Sequence, residues 1–298
     1  MELDKIKTII NNGELFIYAG NKKTTKKELY NLYHLDFKSN LKKEFKNKHI
    51  EFIYSKSNLP VVNYNPVVKQ NDCIENITCG KVNGLKDLYK KFSNIDPSSS
   101  MNYKSINFFI FKYVYEESEI LLFRRHFHSN KLDRSFKVMP VSGIYDQITE
   151  NKFLTIDADI DLLILNNDIH IFDHISIERI FVMLEEFQDK ANSTLDKIAT
   201  FNNFDDFEKI RESILSNGRL VRRVAKLSED PGRSTLFLED IEKTIEVIKN
   251  LKLNINIESK TKKFMFTDDS ELNELINLMQ DSYYKTLIGK RSGTDEVN

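Results

Sequence analysis

Hydrophobic and polar positions follow two rhythms along the chain, and the rhythm changes near residue 176. Before it, five short runs rich in β-branched and aromatic residues recur: INFFIFKYV, EILLFRRHF, SFKVMPVSG, FLTIDADIDLLIL and DIHIFD. Turn-forming clusters such as ESE and LNND separate them, so the pattern predicts a meander of strands. After Ser176 the apolar positions recur every three or four residues. SIERIFVMLEEFQDKANSTLDKIATF predicts one long amphipathic helix, and NFDDFEKIRESIL, NGRLVRRVAKL, LFLEDIEKTIEVIKNL and SELNELINLMQDSYYKTLIG predict four more. NINIES and KFMFTD, between the last two, read as a strand pair.

Upstream, from GELFIYAG to about Phe92, strand-like runs surround one clear helix, DFKSNLKKEFKNKHI. Phe37, Leu41 and Phe45 form its apolar stripe, with Lys38, Lys42, Lys43 and Lys46 on the adjacent side. FIYSKSNLPVV then reads as a strand stopped by Pro60. Residues 93–105, SNIDPSSSMNYKS, mix Pro, Ser and Asn without periodicity, as a linker does. The expected boundary lies near residue 100, dividing an N-terminal region, 1–100, from a larger one, 101–298. Strands followed by a run of helices predict an α+β protein: an N-terminal mixed α/β region, then an antiparallel sheet with a C-terminal cluster of helices.

Charge adds an asymmetry to this picture. The 298 residues carry a formal net charge of −1, but residues 1–149 hold 24 Lys and Arg against 16 Asp and Glu, while residues 150–298 hold 20 against 29. Such a split suits an anionic partner, or attraction between the halves. The longest apolar runs fall far short of the ~20 residues of a membrane span, and MELDKIKTII is no signal peptide. Cys73 and Cys79 are too few for a disulfide framework or a thiolate metal site, so the reading is a cytoplasmic protein.

Within the acidic half, NGRLVRRVAKLSEDPGR concentrates Arg219, Arg222, Arg223, Lys226 and Arg233. On a helix the first four occupy i, i+3, i+4 and i+7, one face of the cylinder. Leu220, Val224 and Leu227 repeat on another face, widened by Val221 and Ala225. Asn217 stands where an N-cap belongs, and Pro231 and Gly232 end the helix before Arg233. Glu229 lies three residues past Lys226 and Glu212 two turns before Arg219, too few acids to neutralise four cations locally. Guanidinium groups grip phosphate oxygens bidentately, so this face suits a nucleic-acid backbone. The alternative is a solvated face paired with distant acids. Arg124 and Arg125 in FRRHFHSNK, Lys262 and Lys263 in SKTKK, the lysines of KSNLKKEFKNK and the cations of GKRSG extend the basic surface.

Two other constellations compete. Strict alternation in TIDADIDLL puts Asp157, Asp159 and Asp161 on one strand face, where they either hold Mg²⁺ for a nuclease or pair with Arg124 and Arg125 on a neighbouring strand. The second option is favoured, since no acid-x-Lys strand follows. His126 with His128, and His170 with Asp173 and His174, have no recognised zinc spacing. There is no Walker A loop, GxGxxG, nucleophile elbow or HExxH, and no cofactor is called for.

The order of IDLLILNNDIHIFDHISIERIFVMLEEFQDKANSTLDKI, NGRLVRRVAKL and LNELINLMQDSYYKTLIGKR resembles the KwaB family, the cytoplasmic component of the bacterial Kiwa anti-phage system, over roughly residues 103–291. The resemblance implies a homodimeric effector that binds double-stranded DNA, works with a small membrane protein, KwaA, and hinders phage DNA replication and late transcription. It also implies recruitment to the inner face of the membrane by that partner. Three functions therefore stand at the level of sequence: a DNA-binding effector, a metal-dependent nuclease using Asp157, Asp159 and Asp161, and an assembly protein that does not bind DNA.

Overall fold

The computed structural model describes residues 2–23, 29–96, 101–126, 138–141, 144–147, 155–181, 183–285 and 292–294. The fold is α+β, and the chain separates into two compact units: a sheet unit of residues 1–64 and 69–183, and a helical unit of residues 65–68 and 184–298.

The sheet unit opens with helix α1 (Leu3–Asn12), whose Ile6, Ile9 and Ile10 are buried. Strands β1 (Glu14–Lys22) and β2 (Tyr30–Leu35) follow, then helix α2 (Ser39–Ser55), β3 (Val61–Asn63), β4 (Ile74–Thr78) and helix α3 (Leu85–Phe92). Next come β5 (Phe108–Tyr115), β6 (Ser118–Arg125), the pair β7 (Val138–Val141) and β8 (Ile144–Gln147), β9 (Leu162–Leu165), β10 (Asp168–Ile171) and helix α4 (His174–Ile180). The main sheet has the order β2-β1-β5-β6-β9-β10-β4-β3, antiparallel throughout except for β3 alongside β4. Helices α1 and α2 pack on one face, where Ile9, Phe45 and Ile53 meet Ile17, Phe111, Leu122 and Leu163. On the other face Phe123 meets Phe181 edge-on, and the Tyr30 hydroxyl donates to the Ile180 carbonyl. Lys22 Nζ donates to the Phe181 carbonyl at 2.5 Å, fastening β1 to the end of α4. Gly20 in β1 faces the Phe108 ring so closely that a Cβ would lie 2.1 Å from it.

Several expected elements differ. The boundary near residue 100 falls inside the sheet unit, because β1 pairs with β5 from Glu14↔Val114 to Gly20↔Phe108, joining residues on both sides of it. Helix α2 runs through Phe52 to Ser55, where a strand was expected; its buried row is Phe45, His49 and Ile53, and Leu41 is exposed. Helices α1 and α3 were not anticipated. The meander loses its middle member: β6 pairs directly with β9, while β7 and β8 form a separate ribbon. The predicted strand through TIDADIDLL begins only at Leu162, with residues 155–160 outside any strand.

In the helical unit α5 (Leu184–Ala199), α6 (Phe207–Ser216) and α7 (Gly218–Lys226) pack together, followed by α8 (Leu236–Glu239), α9 (Ile241–Leu251), the short pair β11 (Asn256–Ile257) and β12 (Phe264–Met265), α10 (Leu272–Met279), and the pair β13 (Tyr283–Lys285) and β14 (Ser292–Thr294). The long helix expected from Ser176 is broken into α4 and α5, and Asp240 interrupts the next by capping α9 through the Lys243 N–H. The final helix stops at Met279, and Tyr283 already lies in a strand. Phe204, Phe207, Phe237 and Phe264 cluster beneath these elements. Phe204, Phe237 and Phe264 are buried, and full burial of such a ring stabilises by roughly 1.5–3 kcal/mol relative to exposure.

Candidate nucleic-acid interface

Helix α7 forms where its sequence pattern requires. Asn217 Oδ1 accepts the N–H groups of Arg219 and Leu220 at 3.0 and 3.4 Å, closing the first turn. Leu220, Val221, Val224 and Ala225 are buried, while Arg219 and Arg222 are exposed. Their side chains thus project from a helix anchored by its apolar face.

The four arginines of this stretch have four different environments, and Lys226, in the last turn of α7, is half-buried. The Arg219 guanidinium makes no hydrogen bond or ion pair with any described residue, and Arg219 lines a polar cleft of about 440 Å³ with Ser213, Ser216, Asn217, Asp269 and Asn273. The Arg222 guanidinium lies over the Phe187 ring of α5, 5.3 Å from its centroid, a contact that orients the side chain while leaving it exposed. Arg233, beyond the helix, is held by its own N–H donating to Asp230 Oδ1 and by its guanidinium donating to the Asp281 carbonyl at 3.4 Å.

Arg223 is different. It is half-buried and points at α10, donating to Asn273 Oδ1 at 3.2 Å and to Asn277 Oδ1 and Gln280 Oε1 at 2.6 Å each. Burial, reinforced by the neighbouring Arg219 charge, lowers its pKa from the usual guanidinium value. The expectation that four cations share one outward face is therefore corrected: Arg219 and Arg222 are exposed, Lys226 is half-buried, and Arg223 is turned towards neighbouring amides. Glu229, the nearest downstream acid, pairs with Lys190 at 3.5 Å and accepts a hydrogen bond from Asn65. Asn273, Asn277 and Gln280 were not singled out from sequence, although their i, i+4, i+7 spacing on α10 is a visible signal.

The remaining predicted residues are placed elsewhere. Arg124, in the sheet unit, is only 16% exposed and lies among all three aspartates: its Nε is 2.7 Å from Asp157, one terminal nitrogen 2.8 Å from Asp161 and the other 3.5 Å from Asp159. The Arg125 N–H donates to Asp161 Oδ2 at 2.6 Å. Burial opposes the Arg124 charge, but the Asp157 and Asp161 carboxylates outweigh it and raise its pKa. Burial also raises the Asp161 pKa, against the pull of the Arg125 N–H and Arg124. A guanidinium thus stands where a nuclease would hold its divalent ion, and no group of three or more metal-ligating side chains is placed to bind a metal among the described residues. Lys262 forms an ion pair with Glu242, and Lys263 is half-buried before β12.

The histidines do not converge either. His174 Nδ1 shares a 2.7 Å contact with buried Glu75 Oε2, and buried His170 has a pKa lowered by its surroundings, burial foremost. His126 packs edge-on against Phe109, and His128 lies outside the described residues, as do Lys290 and Arg291 of GKRSG. Both cysteines are free, at opposite ends of β4.

No described helix is long and apolar enough to cross a membrane. Searches of curated proteins and of solved structures gave no match. The family model for Kiwa protein KwaB-like matches residues 103–289, running from just before β5 past α10. The match covers more than half of the chain, and the protein therefore belongs to the KwaB-like family of the Kiwa anti-phage defence system.

Proposed function

We propose that this chain is a DNA-binding effector of anti-phage defence, gripping double-stranded DNA through its phosphates with Arg219, Arg222, Lys226 and Arg233. The observation that carries the reading is the exposed guanidinium of Arg219, without a partner among the described residues, which stands on the same anchored helix as Arg222. Such cations attract any duplex, because each phosphate is equivalent and base edges are not needed. In this reading the protein acts as a homodimer beside a KwaA-like membrane component, which brings it to the inner face of the membrane, and bound DNA is hindered in replication and transcription.

The test is duplex retardation at low salt, with and without Mg²⁺, for the wild type and for the Arg219→Glu/Arg222→Glu double variant. The binder retards intact DNA in both buffers, and the double variant loses most of that affinity at an unchanged melting temperature. Equal affinity of the two proteins rejects the reading. Mg²⁺-dependent loss of plasmid points to a nuclease, which the Arg124 guanidinium among Asp157, Asp159 and Asp161 disfavours.

A further inference from the structure

The contacts of Arg223 are unusual in what they leave out. A half-buried guanidinium commonly meets a carboxylate, and the pair is then neutral as seen from a distance. Here all three side-chain acceptors are amide oxygens: Asn273, Asn277 and Gln280, from one face and the end of α10. An amide oxygen accepts a strong charge-assisted hydrogen bond without cancelling the formal charge. The amides are themselves oriented. With their oxygens turned to Arg223, their nitrogens must point away. Asn273 also lines the cleft that Arg219 borders, so the caged charge sits directly behind that cleft.

We propose that Arg223 is a positioning residue of the anion-binding face: its neutral amide cage fixes α7 against α10 while keeping one uncancelled positive charge behind Arg219 and the cleft. This rests on the reading of α7 as a phosphate-binding face. The cage deepens that reading by assigning Arg223 a long-range part in holding phosphate, with no direct contact to it. A carboxylate at position 277 or 280 would fasten the helices as well or better, but would remove that charge from the potential a phosphate experiences.

Two variants separate the charge from the fastening. Asn277→Asp keeps the clamp and cancels the charge, whereas Arg223→Lys keeps the charge and weakens the clamp. The expected result is a roughly three- to tenfold loss of duplex affinity at low salt for Asn277→Asp, fading as salt rises, with a melting temperature equal to or above the wild type. Arg223→Lys should stay within about twofold in affinity even where its melting temperature falls. Gln280→Glu provides a second cancelling variant should Asn277→Asp fail to fold. If Arg219→Glu/Arg222→Glu abolishes binding and both cancelling variants bind as the wild type does, the charge-holding role is overturned and the DNA-binding reading stands. If the double variant itself binds normally, both fall together.

Discussion

His49 on α2 and Tyr113 on β5 meet at 2.7 Å, ring nitrogen to hydroxyl, in an interior that excludes the histidine from solvent. The imidazole stacks on Phe45 and stands edge-on to Phe111, so among the described residues a charged ring would have aromatic faces and no ion-paired carboxylate. Burial accordingly drives the His49 pKa down to about 3.

Acid stability follows with a definite sign. The folded state favours neutral His49, so its contribution is complete above the unfolded pKa of about 6.5 and is lost as pH falls from there towards about 3. By pH 4 the loss should be roughly 3 kcal/mol. Urea titrations of the wild type and of His49→Leu/Tyr113→Phe, which removes both polar partners, read it directly. The variant should show a much shallower decline between pH 6.5 and 4, and an equal decline would place the acid sensitivity elsewhere.

The carboxylates around Arg124 give a second prediction. Asp161 is buried and accepts from both Arg124 and the Arg125 N–H. Arg124→Leu leaves that carboxylate without its cation and should destabilise the sheet unit by about 3–5 kcal/mol, the range for breaking a buried pair from one side. Asp159→Asn, at the exposed and most distant of the three, should change stability by less than about 0.5 kcal/mol. Because the guanidinium already occupies the space among the carboxylates, Mg²⁺ should not raise the wild-type melting temperature. A Mg²⁺-dependent rise that vanishes in Asp157→Asn would revive the metal site.

What could be read from sequence divides along the range of the interactions concerned. The cap and the apolar face of α7 depend on spacings within one helix, and both appear in the structure. The orientation of Arg223 depends on α10, more than fifty residues away, and no local pattern says that two helices meet there. The boundary near residue 100 failed for the same reason, since the linker-like composition is local whereas the β1–β5 ladder is not. Helix α2 was expected to end at Ile50 because the aromatic and β-branched run Phe52, Ile53 and Tyr54 ahead of Pro60 reads locally as a strand, whereas in the structure Ile53 continues the buried row of Phe45 and His49 and the helix runs on to Ser55. The Asp–Arg124 pairing was anticipated, because alternation on one segment and adjacent arginines on another are complementary in sequence.

Capping offers a test of how α7 is held. Asn217→Ala removes the acceptor for two N–H groups and should destabilise the helical unit by about 1 kcal/mol, whereas Asn217→Asp should retain the cap. Chemical denaturation measures the stability change. Duplex affinity should fall only slightly in Asn217→Ala at low denaturant, because the Arg222 contact with Phe187 and the Arg223 cage still fix the helix.

Salt dependence provides the count of phosphate contacts. Four cations on the proposed face predict a slope of log affinity against log salt of roughly −3.6, and removing Arg219 alone should bring it to roughly −2.7. Lys262→Ala should leave it unchanged, because that ammonium is already paired with Glu242. The same slope and the same affinity should appear with two duplexes of unrelated sequence, since phosphates carry no base identity. A slope near zero with tight binding would instead require contacts made without releasing counterions. An affinity that differed tenfold between the duplexes would mean that α7 or another element reads base edges, or the shape that sequence gives to the groove.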